Sequence, residues 1–147
     1  YHNRKPVHRD TEAELEATYW ESLEQMLARV DIVSVNCPHT AQTSNLLSAD
    51  RLALMQPSAY LVNTSRGDVV DEAALTELLA KRYIAGAGLD VYAQEPPPAD
   101  NPFRGLPNVI LTPHIGYVTA QTMAVFYGGM LEALEAYLAG QPIRCLV

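Results

Sequence analysis

An apolar run that gives out in small polar residues, with an acidic, helix-forming segment just beyond, is the feature of this chain that admits the fewest folds. The stretch runs from Leu61 to Leu75, LVNTSRGDVVDEAAL, where Tyr60, Leu61 and Val62 are strand-like and the helical pattern opens at Asp71. Two later stretches repeat the ending. In GAGLDVYAQEP, Gly86 to Pro96, an apolar run leads to Asp90 and Glu95; in VILTPHIGYVT, Val109 to Thr119, another leads to Pro113, His114, Ile115 and Gly116. Apolar runs alternating with helical segments predict an α/β fold on a parallel sheet. Ligands bind such open sheets beyond the carboxyl ends of the strands, so Arg66, Glu95 and His114 are expected at a ligand-binding edge. Each has an ordinary alternative when taken alone. Arg66 reads equally as a surface residue capping a helix or pairing with Asp68, Glu95 as a solvated loop acid, and His114 as a buried structural histidine.

The remaining elements follow from periodicity and punctuation. Thr11 to Ala17 reads as a short acid-rich helical turn and Thr18 to Trp20 as a small edge strand. Ser22 to Arg29 places Leu23, Met26 and Leu27 on one helical face, and Asp31 to Asn36 is a buried-strand run ending in Cys37 and Pro38. Ser48 to Met55 is a helix with Ser48 at its N-cap, and Asp71 to Tyr83 is amphipathic, with acids early and Lys81 and Arg82 late to suit the helix dipole. Pro96 to Pro102 is a proline-rich loop. Thr119 to Ala139 is a long helix, ended by Gly140 and Pro142, whose apolar residues cover so wide a surface that it is expected to meet more than one partner element.

With 147 residues the chain has room for one core. Seventeen acidic against ten basic side chains, a net charge of -7, argue against nucleic-acid binding through a broad basic face. Cys37 and Cys145 form no CxxC pair and show no zinc-ligand spacing, so neither a disulfide scaffold nor a metal site is indicated. No apolar run approaches the ~18 residues that span a bilayer, and a cytoplasmic protein without membrane or nucleic-acid partners is the expectation.

Arg66 within NTSRG, Glu95 within GLDVYAQEP and His114 within TPHIG, at separations of 29 and 19 positions, closely resemble the D-isomer-specific 2-hydroxyacid dehydrogenases. The resemblance extends over nearly the whole chain. It implies a Rossmann-like parallel sheet with flanking helices, and hydride transfer between NAD(P)H and a small 2-keto or 2-hydroxy acid, with no metal required. It also implies roles. Arg66 holds the substrate carboxylate; His114, an imidazole with an ordinary pKa near ~6.5, moves the hydroxyl proton; Glu95 favours the imidazolium. Asp90 accepts from the nicotinamide carboxamide, while Cys37, Pro38, Thr64, His114 and Gly116 line the cofactor. Asn3 and Arg4 stand where the family selects its cofactor, with no acid before Asp10, so the resemblance implies NADP as the preferred cofactor and Arg4 as the 2′-phosphate contact, with NAD left open. It further implies a homodimer.

One departure from the family pattern bears on all of this. No GxGxxG phosphate loop occurs among the 147 residues. The expectation is that the first βαβ unit and the substrate domain lie outside this chain, which is then the C-terminal part of the cofactor domain, with residues 119–147 leading toward the missing substrate domain. Such a piece is expected to be inactive in isolation. Two other readings stay open: a catalytically idle interaction fragment, and a nucleotide-sensing module of the same fold.

Overall fold

Four short strands form one parallel sheet in the order β1 (Ile32–Val35), β2 (Tyr60–Asn63), β3 (Gly86–Leu89) and β4 (Val109–Leu111), as seen in a computed structural model that describes residues 1–145. The register runs Val33, Leu61, Ala87, Val109 across the sheet. Between and around the strands lie α1 (Arg9–Glu14), α2 (Leu23–Leu27), α3 (Ala49–Leu52), α4 (Glu72–Ala80) and α5 (Ala120–Leu138), with single 3-10 turns at Gly67–Val69 and Pro102–Gly105. The chain divides into two compact units, Tyr1–Pro113 and a second that opens at His114.

In the first unit the strands alternate, as a pleated sheet requires. Val33, Val35, Leu61, Ala87 and Leu89 are buried and join Leu27, Leu52, Val69, Leu75, Leu79, Ile84 and Phe103 in one core, and Asn63 is buried at the end of β2. The opposite face carries Ile32, Tyr60 and Ile110, which are 63%, 52% and 73% exposed. Gly86 and Gly88, both in β3, differ in what they permit: a side chain at Gly86 would meet the Asn108 carbonyl oxygen at 2.6 Å, while at Gly88 it would meet nothing within 4 Å.

The helix that follows Arg66 forms as its residues dictate. Asp71 caps α4 by accepting the Ala74 N–H at 3.0 Å, and Leu75 and Leu79, one turn apart, are buried. The helix ends at Ala80, short of the expected Tyr83. Arg82 takes a left-handed φ of 57°, its N–H reaches the Leu79 carbonyl, and the Tyr83 N–H reaches that of Leu78, which closes a Schellman motif without its usual glycine. Ser48 holds the N-cap of α3 but makes no side-chain capping bond. The expected edge strand at Thr18–Trp20 is not formed. Only two backbone hydrogen bonds, from the Tyr1 amine to the Thr18 carbonyl and from the Trp20 N–H to the Tyr1 carbonyl, lay the segment beside the first residue.

The second unit is dominated by α5, capped by Thr119 through the Thr122 N–H and closed by Gly140 at φ 74°. Val125, Met130, Leu131, Leu134 and Leu138 are each more than half exposed. Residues 146 and 147 of the expected tail lie outside the described residues. No helix among the described residues is long and apolar enough to cross a membrane.

Candidate functional site

Asn63 is a polar residue at a buried strand position, only 1% exposed, and it organises the turn that carries Arg66. Its Oδ1 accepts the Ser65 N–H at 3.0 Å and its Nδ2 donates to the Arg66 carbonyl at 2.9 Å. Both ends of the amide are thereby satisfied, as burial requires. Ser65 Oγ donates to the Cys37 carbonyl at 2.7 Å, so the turn after β2 is tied to the turn after β1. Pro38 and Thr64 are exposed beside this junction, and Cys37 is half-buried. Arg66 itself is exposed. Its guanidinium donates to the Ser65 carbonyl at 2.6 Å and forms no ion pair among the described residues, so the expected alternative of a pair with Asp68 is not what holds it.

The turn after β3 is clamped from several sides. Tyr92 is 5% exposed, and its hydroxyl shares its one proton between the Thr112 carbonyl at 2.9 Å and the Leu89 carbonyl at 3.1 Å, joining the ends of β3 and β4. Burial first, and the Asp90 carboxylate second, hold its phenol above the ordinary tyrosine range, which keeps the proton on the donor. Removing that hydroxyl takes a donor from the Thr112 carbonyl, while the Leu89 carbonyl keeps the Thr112 N–H at 3.0 Å, so Tyr92→Phe is expected to destabilise the fold by about 1 kcal/mol, read as a lower urea midpoint at unchanged m-value. Asp90, 5% exposed, accepts from the Thr112 hydroxyl. Glu95 accepts the Tyr92 N–H at 3.0 Å, and Glu72, at the start of α4, accepts the Ala93 N–H at 2.7 Å. Gly67 lies under the same backbone, where an added Cβ would sit 2.1 Å from the Tyr92 carbonyl carbon.

His114 opens the second unit at φ 58°, a left-handed conformation uncommon for a residue with a side chain. Its ring meets Tyr117 edge-on with centroids 6.3 Å apart, and Tyr117 in turn contacts Phe126 of α5. Gly116 is exposed.

At the start of the chain, Asn3 and Arg4 follow the tethered Tyr1 and His2. His2 Nδ1 bonds to the Trp20 carbonyl and the Tyr19 hydroxyl donates to the Asn3 carbonyl. Asn3 Oδ1 accepts the Arg4 N–H, while the exposed Arg4 guanidinium has no hydrogen bond or ion pair among the described residues. The donor set fits a nicotinamide dinucleotide: exposed cations at the start of the chain and a buried carboxylate acceptor, Asp90, at a strand end. Asn63, Gly67, Glu72, Tyr92 and Thr112 are the supporting residues that the motifs did not single out. Only Asn63 carried a legible signal, a polar residue in register with buried Leu61.

Comparison with known proteins agrees with this architecture. Residues 1–116 match the family described as D-isomer specific 2-hydroxyacid dehydrogenase, NAD binding domain. The chain is 42% identical over 140 residues to the glyoxylate/hydroxypyruvate reductase B of Pectobacterium atrosepticum, covering 95% of the chain and 43% of that protein. Among solved structures it superposes on a Granulicella formate dehydrogenase with a TM-score of 0.89 at 33% identity, covering 98% of the chain and 38% of that protein. An acyclic imino acid reductase in complex with NADPH and D-Arg gives a TM-score of 0.77 at 31% identity, covering 99% of the chain and 45% of that protein. The chain thus spans about two fifths of the length of the curated relatives it matches. With the family model matched over most of its length and the same parallel sheet beneath it, the chain belongs to the D-isomer-specific 2-hydroxyacid dehydrogenase family, through that family's NAD-binding domain.

Proposed function

We propose that the chain is the C-terminal part of the nicotinamide-cofactor domain of a longer oxidoreductase, one that transfers a hydride between NAD(P)H and a small 2-keto or 2-hydroxy acid. The observation that carries this reading is the placement of Arg66 and Glu95 on two interlocked turns at the carboxyl edge of one parallel sheet, with the Arg66 guanidinium unpaired by any acid among the described residues. An exposed guanidinium on a rigid turn is a bidentate receptor for a carboxylate, and it stabilises negative charge developing on an adjacent carbonyl oxygen. The bound nicotinamide supplies or takes the hydride. His114 gives the proton to the keto oxygen in reduction and takes it from the hydroxyl in oxidation, and the negative Glu95 favours the imidazolium needed for reduction. Asp90 orients the carboxamide, and the backbone around Cys37 and Pro38, with Thr64 and Gly116, lines the cofactor.

The exposed apolar face of the sheet supports a longer protein, because parallel sheets are ordinarily covered on both faces. In this reading residues from Thr119 onward lead toward a substrate domain, and the exposed apolar side chains of α5 serve that domain or a homodimer. The protein works in the cytoplasm.

The cofactor is NADP in preference to NAD, with Arg4, and Asn3 beside it, on the 2′-phosphate. The free guanidinium supports this, as does the NADPH in the imino acid reductase structure. The test uses the full-length protein, which is expected to oxidise NADPH with glyoxylate or hydroxypyruvate. Arg4→Ala removes a charge-assisted contact that only NADPH makes, so KM for NADPH is expected to rise about 10- to 100-fold while that for NADH stays within about twofold. Equal losses for the two cofactors would refute the phosphate assignment, and failure to oxidise either cofactor with any 2-keto acid would refute the function.

A further inference from the structure

We infer that Glu72 is a positioning residue for Glu95: from the first turn of α4 its carboxylate holds the 92–95 loop against the Arg66–Gly67 turn. The inference rests on the proposal that Arg66 and Glu95 serve one active site. It names what sets their relative placement.

Consecutive amides of this loop are engaged by two different carboxylates. The Tyr92 N–H donates to Glu95 Oε1 at 3.0 Å, which folds the Glu95 side chain back on its own loop, and the Ala93 N–H donates to Glu72 Oε1 at 2.7 Å, which ties that loop to α4. Directly beneath, Gly67 leaves no room between the loops, with positions for an added Cβ 2.1 Å from the Tyr92 carbonyl carbon and 2.3 Å from the Ala93 nitrogen. Arg66 precedes that glycine and α4 follows it within five residues. A single rigid segment therefore carries Arg66 at one end and the acceptor for the Glu95 loop at the other.

Helix capping alone does not account for Glu72. Asp71 already caps α4 through the Ala74 N–H. Half-burial disfavours the Glu72 charge, the like charges of Asp68 and Glu95 disfavour it further, and of the groups facing it only the Ala93 N–H favours it; its carboxyl is accordingly held above the ordinary range. A carboxylate kept under those conditions, at 2.7 Å from the backbone of the loop that bears Glu95, is explained by the loop it holds.

The test is a double-mutant cycle in the full-length protein, with glyoxylate and NADPH as probes. Glu95→Gln is expected to lower kcat about 100-fold. Glu72→Ala is expected to lower kcat about tenfold with KM for glyoxylate within about twofold, because the loop is displaced without loss of a substrate contact. Glu72→Gln, which keeps an oxygen acceptor for Ala93, is expected to recover kcat to within about threefold of the parent. In the Glu95→Gln background, Glu72→Ala should add less than about twofold, since it acts through a group already removed. A full tenfold loss in that background, or no loss in the parent, overturns the inference while leaving the Glu95 assignment intact. Unchanged kcat in Glu95→Gln overturns the Glu95 assignment itself. Hydrogen exchange across residues 90–95 gives a readout that needs no turnover: Glu72→Ala is expected to speed exchange of this segment about tenfold, and unchanged exchange overturns the inference.

Discussion

In the full-length protein, His114→Ala is expected to lower kcat about 1,000-fold while the Kd for NADPH stays within about threefold, a difference of about 4 kcal/mol that falls on the chemical step alone. The expectation follows from the proposed division of labour. Hydride transfer leaves the oxygen of a 2-keto acid with negative charge that a proton must quench, and of the two histidines that follow strand ends, His39 and His114, it is His114 that stands within TPHIG, the motif that carries the family resemblance. Its position adds a complication that the experiment must separate. At φ 58° the backbone of His114 is left-handed, where a side chain costs on the order of 1 kcal/mol and Asn is better tolerated than Ala. His114→Asn is therefore the companion variant, since it keeps a residue suited to the backbone and removes the titrating ring. A shared kcat loss in both variants, with melting temperatures close to the parent, places the effect on proton transfer. A loss in His114→Ala that His114→Asn restores assigns it to the backbone, and near-normal turnover in both removes His114 from the mechanism.

That left-handed turn marks the boundary of what the chain reveals as a string of letters. The strands are legible because each is a short apolar run bounded by polar residues: the strand-like Tyr60, Leu61 and Val62 fall in the observed Tyr60–Asn63. The cap of α4 is legible because aspartate before an apolar stripe has one common use, and Asp71 has it. The end of α4 is not, because Arg82 occupies a left-handed position that glycine usually takes, and nothing in KRY announces it. Thr18–Trp20 carries strand-forming residues, yet a strand needs a ladder of backbone partners, and Tyr1 alone among the described residues supplies backbone hydrogen bonds to it. At the candidate site, the motifs picked out the residues with chemically distinctive heads, Arg66, Glu95 and His114. They passed over the frame that holds the first two. Glu72 and Ala93 are 21 positions apart, as Tyr92 and Thr112 are 20 apart, and no local pattern predicts a hydrogen bond across such a separation. The role of Gly67 becomes visible only in the fold, where the Tyr92 backbone lies on it.

Gly67→Ala is accordingly expected to be more damaging than the same change at Gly86 or Gly88, with a loss of about 3 kcal/mol and a fall in Tm on the order of 10 °C. The added carbon would lie 2.1 Å from the Tyr92 carbonyl carbon, 2.3 Å from the Ala93 nitrogen and 2.4 Å from the Tyr92 oxygen. All three are backbone atoms, so no rotamer change relieves the overlap. The loop cannot simply move outward either, because Tyr92 is anchored by its hydroxyl to the ends of β3 and β4 and Ala93 is held by Glu72. Relief must come from breaking one of those ties or from separating α4 and its preceding turn from the sheet, and either route also alters the spacing between Arg66 and Glu95. Gly105→Ala is the control, since a Cβ there meets nothing within 4 Å and the residue is exposed. Its Tm should stay within about 2 °C of the parent. If Gly67→Ala melts as high as the control, the two turns are not in the close contact described. If it melts low and retains parental kcat and KM at a temperature where it is still folded, the contact is structural only, and the placement of Glu95 does not depend on the segment that carries Arg66.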